Sequence, residues 1–293
     1  MSPLLVGTEE GLWQDGRRVL DGKVTAVAVD PARGPGWLAL VDGRLARSDG
    51  EVVTLPSTPA ATCVAALDGS ALVGTAEAHL LRVDGGEART VESFENAEGR
   101  SRWYTPWGGP PDTRSLATAE DGGLYVNVHV GGIVFSGDAG ETWRPTIDVD
   151  ADVHQVLVAG DLVVAATAVG LATSRDRGAT WTFAQDGLHG AYSRAVAVAG
   201  DWLLLTSSTG PFTDRAAVYR RPLDAGDGDP FERCSDWFAE NVDTGLLVAS
   251  PDGSSAALAA PDGKIYRSSD GGATWEAEPA PTSAGPVTAL ALL

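Results

Sequence analysis

Three stretches decide how this chain is read: Ser136-Gly137-Asp138-Ala139-Gly140-Glu141-Thr142-Trp143, Ser174-Arg175-Asp176-Arg177-Gly178-Ala179-Thr180-Trp181 and Ser268-Ser269-Asp270-Gly271-Gly272-Ala273-Thr274-Trp275. Each places a serine two residues before an aspartate, a glycine two residues after it, and a Thr-Trp pair at the end. That pattern suits a tight hairpin turn. The carboxylate accepts backbone N–H groups, the glycine supplies a positive φ, and the indole packs beside the turn. Asp138, Asp176 and Asp270 are therefore read as structural groups and not as catalytic acids. Weaker remnants stand at Ser48-Asp49-Gly50, Asp84-Gly85-Gly86 and Asp15-Gly16.

Outward from these turns runs a repeat with a period of roughly 40 to 50 residues. Each unit opens with an alternating apolar run, near positions 24, 63, 114, 154, 194, 244 and 287 (24–29, 63–67, 114–119, 154–158, 194–198, 244–249 and 287–292). A second β-like run such as 162–168, a short third such as 170–173, and a fourth beside a tryptophan follow. Four antiparallel strands per unit is the pattern of a propeller blade. The last unit stops after its first strand, whereas 4–8, 11–13 and 17–20 read as second to fourth strands with no first strand before them. The expected fold is all-β: a seven-bladed β-propeller over a single domain, 1–293, whose ring closes when the C-terminal strand pairs with the N-terminal three. A six-bladed ring and a pair of β-sandwiches are the alternatives. The irregular stretch 95–112 reads as an insertion between blades two and three.

The three full copies resemble the BNR or Asp-box repeat. That family includes sialidases, xyloglucan-degrading hydrolases, sortilin-type receptors and a photosystem assembly factor, so the resemblance implies fold more sharply than function. It points to a small stand-alone, glycosyl-hydrolase-like or sialidase-like propeller, and implies that the chain, if an enzyme, is glycosyl-hydrolase-like. True sialidases are six-bladed and carry three arginines, the first in an Arg-Ile-Pro type motif, with a Tyr-Glu nucleophile. Here the first inner strand opens Val24-Thr25 and no such motif is present, so sialidase activity is not implied.

Antiparallel order places the entrances to the first strands and the second-to-third loops at one end of the blades, and the Asp-box turns at the other. All four histidines fall at the first end: His79 and His129 in loops, His189 in the link to blade five, and His154 at a strand start. Arg114, Asp152, Gln155, Tyr192, Arg194 and Asp243 join them. The insertion brings Trp103 and Trp107 to the same mouth. In one reading Arg114 and Arg194 hold a small anionic ligand such as an acidic sugar by forked hydrogen bonds. Asp152, Gln155, Asp243, Trp103 and Trp107 then line the site, His154 or His129 moves protons, and Tyr192 orients. In a second, His129, His154 and His189 bind a divalent metal ion, with Asp152 or water completing the shell of a lyase or hydrolase. In a third, the groups form a solvated hydrogen-bond plug, with the arginines paired to Asp112, Asp152 or Asp243. A non-catalytic scaffold that holds a protein partner through 95–112 is the competing class.

Charge and motifs narrow the field. A net charge of -19 excludes nucleic acid and anionic membrane as partners, which need a basic face. No basic leader and no run approaching ~20 apolar residues is found, so a cytoplasmic location is expected. The two cysteines, Cys63 and Cys234, fall in blades two and five and are not expected to form a disulfide. Gly-x-Ser-x-Gly, a phosphate-binding glycine loop and Cys-x-x-Cys are all missing.

Overall fold

The structure, a computed structural model, describes residues 2–106, 108–226, 228–279 and 286–293. Its alternating apolar runs form seven four-stranded antiparallel sheets, and the fold is a seven-bladed β-propeller. In six blades the four strands follow one another in chain order. The first strands are Val24–Asp30, Ala61–Leu67, Thr113–Thr118, Val153–Ala159, Val196–Ala199 and Leu247–Ala249. The seventh blade is assembled from both ends of the chain: Val287–Leu292 lies antiparallel to Leu4–Thr8, with Leu4 opposite Leu292 and Val6 opposite Leu290, and Gly11–Gln14 and Arg17–Asp21 follow. The strand exchange expected from the broken repeat is thus present.

The chain forms two compact units. One comprises Met1–Val24, Ala166–Ala172 and Thr182–Leu293, and the other Thr25–Ala165 with Thr173–Trp181. In the second unit, the first strands of blades two, three and four pack side by side. Hydroxyls stitch them: Thr62 Oγ1 donates to Thr113 O at 2.5 Å, Thr118 Oγ1 to Ala66 O at 3.1 Å, and Ser115 Oγ accepts Val156 N at 3.0 Å. In the first unit the first strands of blades five, six and seven pack likewise, and Thr288 Oγ1 donates to Val24 O at 2.7 Å. A side-chain hydroxyl spans the gap between neighbouring sheets where a backbone ladder cannot.

The three repeated turns share one network. Ser136, Ser174 and Ser268 each donate to the aspartate two residues on at 2.8 Å, and each accepts the N–H of the glycine four residues on, Gly140, Gly178 and Gly272, at 2.8–2.9 Å. The aspartates also accept both the N–H and the hydroxyl of Thr142, Thr180 and Thr274. Donors from that threonine and from the serine hold Asp138 and Asp176 down to about 2. Each indole reaches the preceding blade's outer edge or its link: Trp143 Nε1 donates to Ser93 Oγ at 3.1 Å, Trp181 Nε1 to Thr146 O at 2.9 Å, and Trp275 packs in one cluster with Cys234. Blade one, which has only a remnant, holds its turn differently. Arg47, 3% exposed, pairs with Asp30 at 3.0 Å and Glu51 at 3.1 Å. Both cysteines are free thiols, and burial pushes them up to about 12 and about 11. Among the described residues, no helix is long and apolar enough to cross a membrane.

Candidate functional site

In the second unit, the start of blade four and the second-to-third loop of blade three bring sequence-predicted residues together. The chain enters the first strand of blade four through a single helical turn, Val149–Ala151, ended by Asp152 in a left-handed conformation (φ 45). That conformation is tolerated best by Asn, Asp and Gly. It places the carboxylate, 30% exposed, against two buried imidazoles: Asp152 Oδ1 lies 3.8 Å from His129 Nε2 and Oδ2 lies 3.7 Å from His154 Nε2. His129 is 4% and His154 1% exposed. Gln155 follows on the same strand, half-buried.

Burial pushes the His129 imidazole down to about 4; the positive charge of Arg114 adds to the effect, Asp152 opposes it, and His154 contributes in the same direction as Arg114. His129 is therefore neutral at neutral pH, available as an acceptor or a neutral donor but not as a charged acid. Its backbone N–H donates to Asp112 O at 2.9 Å, so the end of the insertion clasps this loop.

Two residues of this neighbourhood escape the sequence reading. Asn127 stands two positions before His129, hence on the same strand face. It is fully buried and donates to Ser115 Oγ at 3.2 Å, while its Oδ1 has no hydrogen-bond partner among the described residues. Counting back by two from His129 through an apolar strand is the signal that finds it.

The segment that leads into the insertion is anchored in the core. Glu92–Glu95 forms a helical turn whose Phe94 is fully buried, with Trp143 edge-on at 5.1 Å and Trp103 at 5.6 Å. Arg100 lies over Trp103 at 4.9 Å and pairs with Glu95 at 2.9 Å, and His79 Nδ1 meets the same carboxylate at 2.8 Å. Trp103 thus packs against the core cluster instead of standing free; Tyr104, 47% exposed, is the open aromatic. Trp107 lies outside the described residues.

The remaining predicted residues belong to the first unit and have contacts of their own. Tyr192 exchanges backbone hydrogen bonds with Ser208 at 3.1 and 2.9 Å. Arg194 pairs with Asp243, donates to Pro211 O at 3.4 Å and sits over the Tyr192 ring at 5.5 Å. His189 Nε2 donates to Arg215 O at 3.0 Å, and Nδ1 lies 2.8 Å from the Tyr219 hydroxyl, with which it shares a hydrogen bond. Both ring nitrogens of His189 thus have hydrogen-bond partners within the first unit. Among the described residues no group of three or more His, Cys, Asp or Glu is arranged to hold a metal ion.

No protein-family description matches the sequence, and no curated protein matches it. Solved structures do. The GH74 xyloglucanase from Xanthomonas campestris is similar at 15% identity and a TM-score of 0.64, over 93% of this chain and 46% of that one. YCF48 from Cyanidioschyzon merolae is similar at 14% and 0.61, over 97% and 90%, and YCF48 bound to D1 peptide at 13% and 0.60, over 95% and 86%. The likeness shows the fold alone. The chain spans about half the length of the xyloglucanase and most of YCF48.

Proposed function

We propose that this chain is a binding propeller, in which the cluster of Arg114, His129, Asp152, His154 and Gln155 takes a small polar ligand bearing an acidic group. One observation carries the reading: two buried imidazole nitrogens face the two oxygens of one carboxylate at 3.8 and 3.7 Å. These spacings exceed a direct hydrogen bond and are too short to hold an atom in line, so a ligand's hydrogen-bonding group approaches from one side and reaches a nitrogen and an oxygen together. Arg114, whose charge is felt at His129, supplies the partner for the ligand's acidic group. A hydrolase reading, which the xyloglucanase likeness brings to mind, requires a second carboxylate about 5–9.5 Å from the first. Binding requires only the groups named.

A thermal-shift screen with sugars, sugar acids and phosphorylated metabolites tests the proposal. The ligand that raises the melting temperature of the parent leaves that of Arg114→Ala and His154→Ala unchanged, while both variants keep the parent's circular dichroism. Variants that bind like the parent overturn it. A second reading, a protein-holding scaffold, is favoured by the likeness to a propeller bound to a peptide over most of its length. It predicts partner capture that survives both substitutions and fails when residues 103–107 are shortened.

A further inference from the structure

Blade five carries a second built surface, wholly within the first unit and beyond the site proposed above. The loop 209–215 joins its second and third strands, Trp202–Ser208 and Ala216–Pro222, and the link 234–246 leads away from its fourth, Glu232–Arg233. Together they wall a cavity of about 670 Å³ lined by Pro211, Phe212, Asp214, Glu240, Asn241 and Asp243, with Arg194 also in its lining. Phe212 is completely exposed.

A single exposed apolar residue is ordinary on a mobile loop. This loop is braced. Asn241 Nδ2 donates to Gly210 O at 3.0 Å and to Pro211 O at 3.1 Å, the hydroxyls of Thr209 and Thr213 lie 3.1 Å apart, and Thr213 Oγ1 donates to Arg215 O at 2.9 Å. The phenyl ring is therefore held out from a fixed backbone. Beside it the charge is unbalanced: the guanidinium of Arg194 is met by Asp243, while Asp214 and Glu240, both exposed, line the same cavity. An apolar anchor next to carboxylates that have no ion-pair partner among the described residues matches a cationic partner with an apolar side chain. A polyanion and a second copy of this chain, at a net charge of -19, are both repelled.

We infer that this surface docks a basic peptide segment of a protein partner, Asp214 and Glu240 receiving its Lys or Arg side chains and Phe212 an adjacent apolar one. Fluorescence anisotropy with the full chain tests this, using a short labelled peptide of alternating Lys and Leu, and the same peptide with Glu for every Lys. The basic peptide binds the parent and the acidic one does not. Asp214→Lys with Glu240→Lys weakens binding by about tenfold or more, and Phe212→Ser by about fivefold. Glu120→Lys with Glu141→Lys, an equal change of net charge at exposed positions of the other unit, leaves it within about twofold. All these positions are exposed, and circular dichroism checks that the fold is kept. Absence of binding by the basic peptide, or equal weakening by the two charge reversals, overturns the inference.

Discussion

Deleting residues 287–293 removes the first strand of blade seven and so tests whether the two ends of the chain hold the fold together. Five register pairs join this strand to Leu4–Thr8. Leu290 and Leu292, 2% and 0% exposed, pack with Leu4, Val6, Ala257, Ala259 and Ile265. Truncating one buried leucine costs about 2–5 kcal/mol, so losing two costs about 4–10 kcal/mol. Each ladder hydrogen bond adds about 0.5–1.5 kcal/mol, and the edge of Leu4–Thr8 is left open to other chains. A domain is commonly stable by about 5–15 kcal/mol. The loss is therefore comparable with the whole stability. Urea unfolding followed by tryptophan fluorescence and far-ultraviolet circular dichroism reads the result: the shortened chain shows no cooperative transition, whereas Leu290→Ala keeps one, lowered by about 2–5 kcal/mol. A shortened chain with the parent's midpoint and slope refutes the reasoning.

The repeated turns make a pH prediction. Asp138 and Asp176 are held at about 2 in the fold, below the ordinary 3.8, so their stabilisation is complete above pH 4 and is lost as the pH falls toward 2. Asp138→Asn with Asp176→Asn lowers the urea midpoint at pH 7 and flattens its decline between pH 4 and 2; an unchanged acid profile contradicts the turn's role. His129 titrates near 4 by nuclear magnetic resonance instead of near the ordinary 6.5, and Arg114→Gln moves that value upward; a value near 6.5 in the parent contradicts the buried setting. Because the unfolded imidazole takes up its proton first, His129 contributes a fall in stability as the pH drops from about 6.5 to about 4, which His129→Asn reduces. Gly74→Ala forces a Cβ within 2.4 Å of Thr113 Cγ2 and 2.6 Å of Cys63 Sγ, and it lowers stability by about 1–3 kcal/mol in the same unfolding assay.

Blade order was legible because each first strand alternates and each turn carries its own glycine and aspartate. Openings near 24, 63, 114, 154 and 287 fall within two residues of the strands formed. Blades five and six start later, at Val196 and Leu247 rather than near 194 and 244. Arg194 is drawn to Asp243, Thr244 Oγ1 donates to Arg194 O at 3.0 Å, and Gly245 adopts a φ of 78 that breaks the extended run. No alternation pattern reports such tertiary bonds. His129, Asp152 and His154 were legible as polar residues at strand ends. Asn127 and Ser115 were hidden inside runs that read as apolar strand, and the engagement of His189 with Tyr219 depends on a partner 30 residues away. Phe94, a single apolar residue between Ser93 and Glu95, gave no sign that it anchors the insertion.

The most direct test of the proposed site follows the four imidazoles by nuclear magnetic resonance while the ligand found by thermal shift is added. The account predicts that the signals of His129 and His154 move together and saturate with the binding curve, with those of His79 and His189 stationary. Saturable binding that leaves His129 and His154 unmoved contradicts it.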